Sequence, residues 1–417
     1  MGKIKRRFPN PLDIAALMKF KAPVWNPTQR RLNAAHTIQD LAKIAKRRTP
    51  KAPFDYADGA ADSEISLARA RQAFQDIEFQ PRILRDVSEV DLSIEVLGKK
   101  VSMPFGIAPT GFTRMMQTEG EIAGSQAAEA NGIPFALSTL GTRSIEEVAE
   151  AAPGGRNWFQ LYMLKDRERS LGLVQRAAAA GFDTLMLTVD VPVAGARLRD
   201  KRNGMTIPPQ LTLGTIVNAI PRPAWWINFL TTDPLKFASL SSWNGTVAEL
   251  LDAMFDPTVT FEDLKWIRQN WNGKLVVKGI QNVEDAKLAV AAGADAVTLS
   301  NHGGRQLDSC VSPLDVLPAM RAAVGNRLAL VADGGFRRGT DVAKALALGA
   351  DAVMIGRAAL YGLAAGGEPG VAHALTLLEA EFLRVLGQLG CRSPQELGPQ
   401  FVMRSTHRGS AESPSYA

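Results

Sequence analysis

Residues 341–357 read DVAKALALGADAVMIGR, and this stretch contains one complete unit of the fold. Residues 341–348 are rich in alanine and carry apolar side chains at helical spacing, which predicts an amphipathic helix. Gly349 follows directly, and a glycine at this point adopts the left-handed conformation that ends a helix without a Cβ penalty. The apolar run 352–355 then predicts a buried strand, which is followed by Gly356 and Arg357.

The same helix-to-strand joint occurs twice more, as AGFD at 180–183 and AGAD at 292–295. Outward from these joints, short apolar runs alternate with amphipathic stretches, such as 145–152, 167–180 and 283–292, from about residue 100 onward. Most of the runs are continuously apolar, as parallel strands covered on both faces are. The predicted strands are 103–108, 134–137, 158–162, 184–189, 275–277, 296–299, 328–332 and 352–355.

Eight strands that alternate with helices favour an α/β fold of the (β/α)8 TIM-barrel type. An open doubly wound sheet is the alternative, but no GxGxxG motif follows the first strand. Residues 1–100 contain helical patterns at 38–47 and 63–74, and we expect this segment to form an N-terminal helical cap on one barrel end. We assign the barrel to residues 101–391, with a long insertion at 208–257 after the fourth strand, and a C-terminal tail to 392–417.

Composition and charge restrict the class of protein. A net charge of +6 and a pI near 9.3 suit anionic substrates or an anionic membrane surface. The basic runs at 3–7 and 46–48 lack interleaved aromatic residues, so no nucleic-acid partner is predicted. Two cysteines cannot build a disulfide framework, and no run reaches the ~18 apolar residues of a spanning helix. We expect an intracellular protein and assign no metal site.

Every predicted strand is followed by polar or hydrogen-bonding residues. The active site of a parallel barrel forms at the carboxyl ends of its strands, so these residues are predicted to share one face. The glycine turns at 333–335 and 355–357 follow strands seven and eight, where backbone N–H groups and an arginine suit a phosphate. The residues at the strand ends are Thr110, Ser138, Gln160, Tyr162, Thr188, Asp190, Lys278, Ser300, His302, Asp333, Gly356 and Arg357.

The segment SNHGGRQLD at 300–308 contains a candidate catalytic base. A lone histidine is more often structural than catalytic. His302, however, lies in a glycine-rich turn at a strand end, and Arg305 follows three residues later. An imidazole can accept a proton near neutral pH, and a guanidinium beside it can hold an anion. This placement favours a base next to an anion-binding arginine.

Together with SNHGGRQLD, five further motifs resemble the FMN-dependent α-hydroxy-acid oxidoreductases. The resemblance runs from about residue 38 to 391 and is closest in look to the bacterial respiratory L-lactate dehydrogenases. It also extends to mandelate dehydrogenase and glycolate oxidase. The motifs are IAPTG at 107–111, FQLY at 159–162, LTVD at 187–190, VKG at 277–279 and DGGFRRGTDVAKALALGADAV at 333–353.

The resemblance implies a role for each motif residue. His302 would accept a proton from the substrate, and Asp190 would stabilise the charged imidazole. The substrate would be bound by Arg305 and Arg197 at its carboxylate and by the hydroxyl groups of Tyr56 and Tyr162. The residues implied for FMN are Thr110, Ser138, Gln160, Thr188, Lys278 and Ser300 at the ring and ribityl chain, and Asp333, Gly334, Gly335, Arg337, Gly356 and Arg357 at the ribityl tail and phosphate.

Three of these residues also have structural interpretations. Asp190 could cap a helix, Tyr56 could be a packed core tyrosine, and Arg197 could be solvated in a loop. The pocket itself departs from the plant glycolate oxidases, because Leu140 stands where they carry tryptophan and Gly111 where they carry alanine. Both differences change the space for the substrate's side chain.

The leading hypothesis is oxidation of L-lactate to pyruvate, with electrons passed to a quinone or similar acceptor. The alternatives are a larger mandelate-like 2-hydroxy acid, a flavoprotein of the mycofactocin-maturation type, and a ligand-sensing barrel without turnover. The intact set of His302, Asp190 and Arg305 argues against the last, since binding alone needs no base. The resemblance also implies a homotetramer.

The insertion at 208–257 is predicted to contact a membrane surface. Between Asn203 and Thr232 its only charged residue is Arg222, and it contains the pair Trp225 and Trp226 among aliphatic residues. Tryptophans beside aliphatic residues suit the headgroup boundary of a bilayer. A lid or a subunit contact is the alternative. We therefore expect a cytoplasmic protein or one that lies on the inner face of the cell membrane.

Overall fold

The computed structural model describes residues 8, 10–18, 23–205, 213–240 and 256–405. The basic run at 3–7, residues 208–212 and 241–255 of the insertion, and residues 406–417 of the tail lie outside these ranges. The described strands are β1 (Ile77–Phe79), β2 (Ile94–Val96), β3 (Lys99–Val101), β4 (Phe105–Ile107), β5 (Pro134–Ser138), β6 (Arg156–Tyr162), β7 (Thr184–Thr188), β8 (Lys274–Ile280), β9 (Ala296–Leu299), β10 (Ala329–Asp333), β11 (Ala352–Ile355) and β12 (Val402–Arg404). The described α-helices are α1 (Pro11–Leu17), α2 (Pro27–Asn33), α3 (Ile38–Arg48), α4 (Lys51–Asp58), α5 (Ile65–Gln75), α6 (Glu121–Ala130), α7 (Ile145–Ala151), α8 (Arg167–Ala179), α9 (Leu198–Arg202), α10 (Leu213–Ala219), α11 (Pro223–Leu230), α12 (Phe261–Asn270), α13 (Val283–Ala291), α14 (Pro313–Val324), α15 (Gly339–Ala347), α16 (Arg357–Gly366) and α17 (Glu368–Leu389).

Strands β4 to β11 form a closed parallel barrel. Neighbours pair in chain order, and β11 pairs with β4 to close the ring. Each of the eight strands overlaps one predicted apolar run. The predicted (β/α)8 barrel is therefore confirmed, and the open doubly wound sheet is wrong.

Two of the three Gly-x-Asp joints tie a helix end to the bottom of the barrel. Gly349 has a φ of +107°, the left-handed conformation that ends α15. The Asp351 carboxylate then accepts a hydrogen bond from the Leu330 N–H at 2.7 Å, and Asp295 accepts one from Leu275 N–H at 2.9 Å. Each aspartate thus satisfies a backbone donor at the start of the preceding strand, a function that the sequence pattern alone did not reveal.

The N-terminal segment covers both ends of the barrel, whereas the sequence predicted a cap on one end. Helices α4 and α5 lie over the carboxyl ends of the strands, where Ala61 N–H donates to Gly304 C=O at 2.8 Å. The β2–β3 hairpin closes the opposite end. Its Val96 and Val101 are buried in one apolar cluster with Trp158 of the barrel interior. The strands of this hairpin are too short to give a clear periodic signal, so the sequence did not predict it.

Candidate active site

A cavity of about 300 Å³ opens at the carboxyl ends of the barrel strands, beneath α4. Four predicted site residues lie directly behind its wall rather than in it, namely Gln160, Thr188, Asp190 and Ser300. The predicted residues that line the cavity are Tyr56, Thr110, Ser138, Tyr162, Arg197, Lys278, His302, Arg305, Asp333, Gly334, Gly335, Arg337, Gly356 and Arg357. The eight strand ends therefore bring the predicted residues together around one space.

His302 is held in a single orientation by its neighbours. Its backbone adopts a left-handed φ of +55° at the start of a short 3-10 turn, and its N–H donates to Ser300 Oγ at 3.0 Å. The Nδ1 atom lies 2.9 Å from Asp190 Oδ1, and Nε2 lies 3.4 Å from the Tyr162 hydroxyl oxygen. Because Asp190 binds the imidazole, it is not a helix cap. This pairing places the hydrogen on Nδ1 and leaves Nε2 able to accept a proton.

The charges around this pair favour a neutral imidazole backed by an anion. Burial lowers the pKa of His302, with further lowering from Lys278 and Arg197, and the opposing effect of Asp190 does not restore it. Burial alone would raise the pKa of Asp190, but the nearby His302 and Lys278 lower it below its usual range. The carboxylate therefore stays ionised, as a group that stabilises a proton on the imidazole must.

Two arginines without carboxylate partners lie above Tyr56. The guanidinium carbons of Arg305 and Arg197 lie 5.0 Å and 5.9 Å from the centre of its ring. Arg305 Nη1 donates to the backbone carbonyls of Tyr56 and Gly59, at 2.6 Å and 2.9 Å. Burial, and next the charge of Arg197, lower the pKa of Arg305 to about 9. In the described part of the chain, no carboxylate oxygen lies within 4 Å of either guanidinium, so the pair is suited to an anion from outside.

Buried polar atoms in the opposite wall, and directly behind it, lack partners in the described structure. Gln160 Oε1 accepts from Ser138 Oγ at 2.9 Å, but its Nε2 has no partner, and neither do Thr188 Oγ1 and Asp333 Oδ1. An unsatisfied buried polar atom costs about 1–3 kcal/mol. The polar edge of a flavin ring and a ribityl chain offer both donors and acceptors, so these atoms fit FMN.

Lys278 supplies the positive charge of this wall. Its Nζ lies 2.9 Å from Ser300 Oγ and 3.0 Å from Asp333 Oδ2, and both charged side chains are buried. Burial lowers the pKa of Lys278, but Asp333 and Asp190 raise it more, so the net shift is upward. The lysine is therefore a fixed cation, as the resemblance implies for the residue next to the flavin ring.

The turns that follow β10 and β11 form an open cradle. Gly335 has a φ of +85°, and a Cβ there would lie 2.9 Å from the Ala70 carbonyl oxygen, so only glycine fits. A Cβ on Gly356 would meet no atom closer than 4.0 Å in the structure. Backbone N–H groups next to open space suit a phosphate. The cradle thus fits the phosphate end of FMN.

Arg357 has a structural contact that the sequence did not predict. Its guanidinium donates to the carbonyls of Ala57, Gly59 and Gly303, at 3.1, 2.7 and 3.0 Å. Burial, and next the charge of Arg337, lower its pKa to about 10. Arg357 therefore ties the N-terminal cap to the turn that contains His302, while it also borders the cavity.

Known proteins share this arrangement across almost the whole chain. The family model described as FMN-dependent dehydrogenase matches residues 45–404. This chain belongs to that family. FMN is its cofactor, and the resemblance to the α-hydroxy-acid oxidoreductases is confirmed. Membership of this family makes the protein an enzyme, so the hypothesis of a ligand-sensing barrel without turnover is wrong.

The relatives of this dehydrogenase are named after two substrates, lactate and mandelate. A Mycobacterium tuberculosis protein named "Putative L-lactate dehydrogenase" is 55% identical over 412 residues, which cover 99% of this chain and 100% of the relative. The (S)-mandelate dehydrogenase of Pseudomonas putida is 42% identical, with 88% of this chain and 93% of the relative covered. The crystal structure of the monotopic membrane protein (S)-mandelate dehydrogenase aligns with a TM-score of 0.86 at 42% identity, covering 89% of this chain and 100% of that one.

Proposed function

We propose that this FMN-dependent dehydrogenase oxidises L-lactate to pyruvate and passes the electrons to a quinone. The observation that carries the proposal is a cavity that contains a buried base, His302 backed by Asp190, together with two arginines that lack carboxylate partners. A 2-hydroxy acid needs both, because its carboxylate must be held while a proton is removed. The names of the relatives supply the choice of lactate.

In this proposal, Arg305 and Arg197 bind the substrate carboxylate, and Tyr56 and Tyr162 add hydrogen bonds. A guanidinium matches a carboxylate with two parallel hydrogen bonds, which fixes the face that the substrate presents. His302 Nε2 accepts a proton from the substrate, and Asp190 stabilises the resulting imidazolium. FMN, when bound, would take up the two electrons together with the substrate's second proton.

The experiment is anaerobic titration of the yellow protein with L-lactate, D-lactate, glycolate and (S)-mandelate, followed by flavin absorbance. Bleaching by L-lactate and not by D-lactate supports the proposal. Bleaching by none of the four acids contradicts it. FMN is released by acid and identified by chromatography, so that failure to bind the cofactor is distinguished from failure to react.

A second candidate substrate is a larger acid of the mandelate type. It is favoured by small residues in the cavity wall, which include Ala194 and, next to Leu140, Gly111. A Cβ on Gly111 would lie only 2.8 Å from Leu140 Cβ. The size of residue 111 therefore affects the position of Leu140. The rate with (S)-mandelate, the larger substrate, should depend on the space that these two residues leave.

Gly111→Ala is expected to push Leu140 into the cavity and to lower kcat/KM for (S)-mandelate about tenfold more than for L-lactate, since overpacking costs about 1–3 kcal/mol. The double variant Gly111→Ala/Leu140→Gly removes the contact between the two Cβ atoms and should recover part of the loss. Steady-state kinetics with both substrates provide the measurement. Equal losses for both substrates would show that the wall does not contact the substrate's side chain.

The dependence of kcat/KM on pH should reflect the protonation of His302. Only the neutral imidazole accepts a proton, so kcat/KM is lost as pH falls through the pKa of His302. Because burial lowers that pKa below the ordinary value of 6.5, the midpoint of the acid limb is expected to lie below pH 6.5. Stopped-flow flavin reduction by L-lactate across this midpoint is the measurement. An acid limb with a midpoint above 6.5 would contradict the assignment.

We also propose that the described part of the insertion contacts a membrane surface. Helix α11 has an inner and an outer face. On the inner face, Trp225 donates from Nε1 to Met115 C=O at 2.9 Å and stacks on Phe229, so this face packs against the barrel. The outer side exposes Trp226, Ile227 and Leu230. Ile216, Val217 and Ile220 of the α10 region are exposed as well. Among the described helices, none has the length and apolarity to cross a bilayer.

Replacing Ile220, Ile227 and Leu230 together by glutamine should lower co-sedimentation with liposomes at least about tenfold. A tenfold loss corresponds to about 1.4 kcal/mol, and one fully buried aliphatic side chain contributes about 1.5–3 kcal/mol. FMN content and reduction by L-lactate should not change, whereas reoxidation by a membrane quinone should slow. Leu288→Gln, at an exposed leucine of α13, is the control. If the wild-type protein does not sediment with lipid, the insertion is better interpreted as a lid or subunit contact. The tetramer stays a prediction, which light scattering can check.

A further inference from the structure

A second cavity, of about 240 Å³, lies outside the barrel between the N-terminal helices and the insertion. Its walls come from α2, the end of α3, the loop after β4, helix α11 and the turn between α16 and α17. Three arginines from three different elements line it: Arg31, Arg48 and Arg114. None of its lining residues also lines the active-site cavity.

The three arginines are held in place by neutral groups. Arg31 Nη2 donates to Thr28 Oγ1 at 2.9 Å and to Ala365 C=O at 3.3 Å, and Arg48 Nε donates to Ala364 C=O at 3.2 Å. Arg114, which is only 5% exposed, donates from Nη2 to Asp233 C=O at 2.7 Å. The backbone carbonyls fix the side chains but do not neutralise their charge.

None of the three guanidinium groups forms an ion pair with a described residue. No carboxylate oxygen of the described residues lies within 4 Å of the three guanidinium groups, and the buried Arg31 Nε has no hydrogen-bond partner. Glu119 also lines the cavity. Its carboxylate, however, already accepts from Glu368 N–H at 2.7 Å and from Gln117 Nε2 at 3.2 Å.

Burial lowers the pKa of Arg31 and of Arg48, and neighbouring arginines lower both further. Burial therefore disfavours the charged state of both side chains, and the charge of Arg31 adds to this effect at Arg48. An anion beside the guanidinium groups would oppose it. A carboxylate has two oxygens and a single negative charge, so one guanidinium is enough to bind and neutralise it. Three guanidinium groups from three directions suit a tetrahedral oxyanion of higher charge.

We propose that this cavity binds a phosphate group, through Arg31, Arg48 and Arg114. The phosphate could be free inorganic phosphate or the headgroup of an anionic phospholipid, which share this chemistry. The lipid source has structural support, because α11 contributes Trp225 to the cavity and exposes apolar residues on its other side. The site requires no part of the catalytic machinery.

The test uses the full-length, FMN-loaded protein. Inorganic phosphate is titrated by calorimetry, with sodium acetate at equal ionic strength as the control anion. Co-sedimentation is measured in parallel with vesicles of phosphatidylglycerol and of phosphatidylcholine. FMN content and flavin reduction by L-lactate are recorded for every variant, so that failure of this site is distinguished from failure of the proposed function.

The decisive variant is Arg31→Gln/Arg48→Gln. Its matched control, Arg30→Gln/Arg47→Gln, removes the same charge from exposed positions on the same two helices. Because the first variant also loses contacts that hold the helices, Asn228→Asp is added. It is nearly isosteric and adds a negative charge to a lining residue of the cavity.

We expect both cavity variants to weaken phosphate binding at least about tenfold, the loss that corresponds to one charge-assisted contact, and the control to bind like wild type. Saturable binding of inorganic phosphate with this pattern identifies free phosphate as the source. The same pattern with phosphatidylglycerol vesicles alone identifies the headgroup. The proposal is overturned if neither probe binds the wild-type protein, if acetate binds as tightly as phosphate, or if the cavity variants bind like the control.

Discussion

His302→Gln is expected to retain FMN and to lose flavin reduction by L-lactate by a factor of at least ~10²–10⁴, the usual contribution of a positioned general base. Glutamine preserves approximate size and polarity but cannot accept a proton at neutral pH. A larger loss would follow if His302 and Asp190 act as a unit, because the 2.9 Å contact between them makes their effects non-additive. The retained yellow colour separates the loss of chemistry from the loss of cofactor.

Stopped-flow absorbance under anaerobic conditions provides the measurement, and His36→Gln is the matched control. His36 is exposed, so its replacement should leave the reduction rate unchanged. Acid release of FMN from both variants checks equal cofactor content. If His302→Gln reduces FMN within about tenfold of the wild-type rate, another residue is the base.

Lys278→Met is expected to destabilise the protein by about 3–5 kcal/mol, because it leaves the buried Asp333 carboxylate without its partner. We also expect most of the purified protein to be colourless, since the same change removes the fixed cation from the proposed FMN wall. Denaturant unfolding gives the free-energy change, and the ratio of flavin to protein absorbance gives the FMN content.

Two further variants separate stability from cofactor binding. Lys274→Met alters the other lysine of β8, whose side chain is 45% exposed, and should change stability by no more than about 1 kcal/mol. Lys278→Met/Asp333→Leu removes both buried charges and should recover much of the stability but not the FMN. If this double variant binds FMN like wild type, Lys278 and Asp333 are structural and do not contact the cofactor.

The barrel and the position of the site were predicted from the sequence alone. A buried parallel strand needs a continuous apolar run, and a helix that returns to the sheet needs a residue for its left-handed end. The apolar run and the residue at the helix end both lie within a few neighbouring positions, so they can be recognised in stretches such as 341–357. Since parallel strands all end on one face, the polar residues after each strand were predicted to meet, and the cavity contains most of them.

Which of these residues are in contact can be seen only in the folded protein. Asp190 and His302 are 112 residues apart in the chain and form one pair, and Arg357 reaches back to carbonyls of α4 and Gly59. The folded protein also places Trp225 against the barrel and leaves its neighbour Trp226 exposed. Three arginines that are far apart in the sequence line one cavity. Contacts between distant segments depend on how helices and loops pack against the barrel, and this packing has no short-range signature in the sequence.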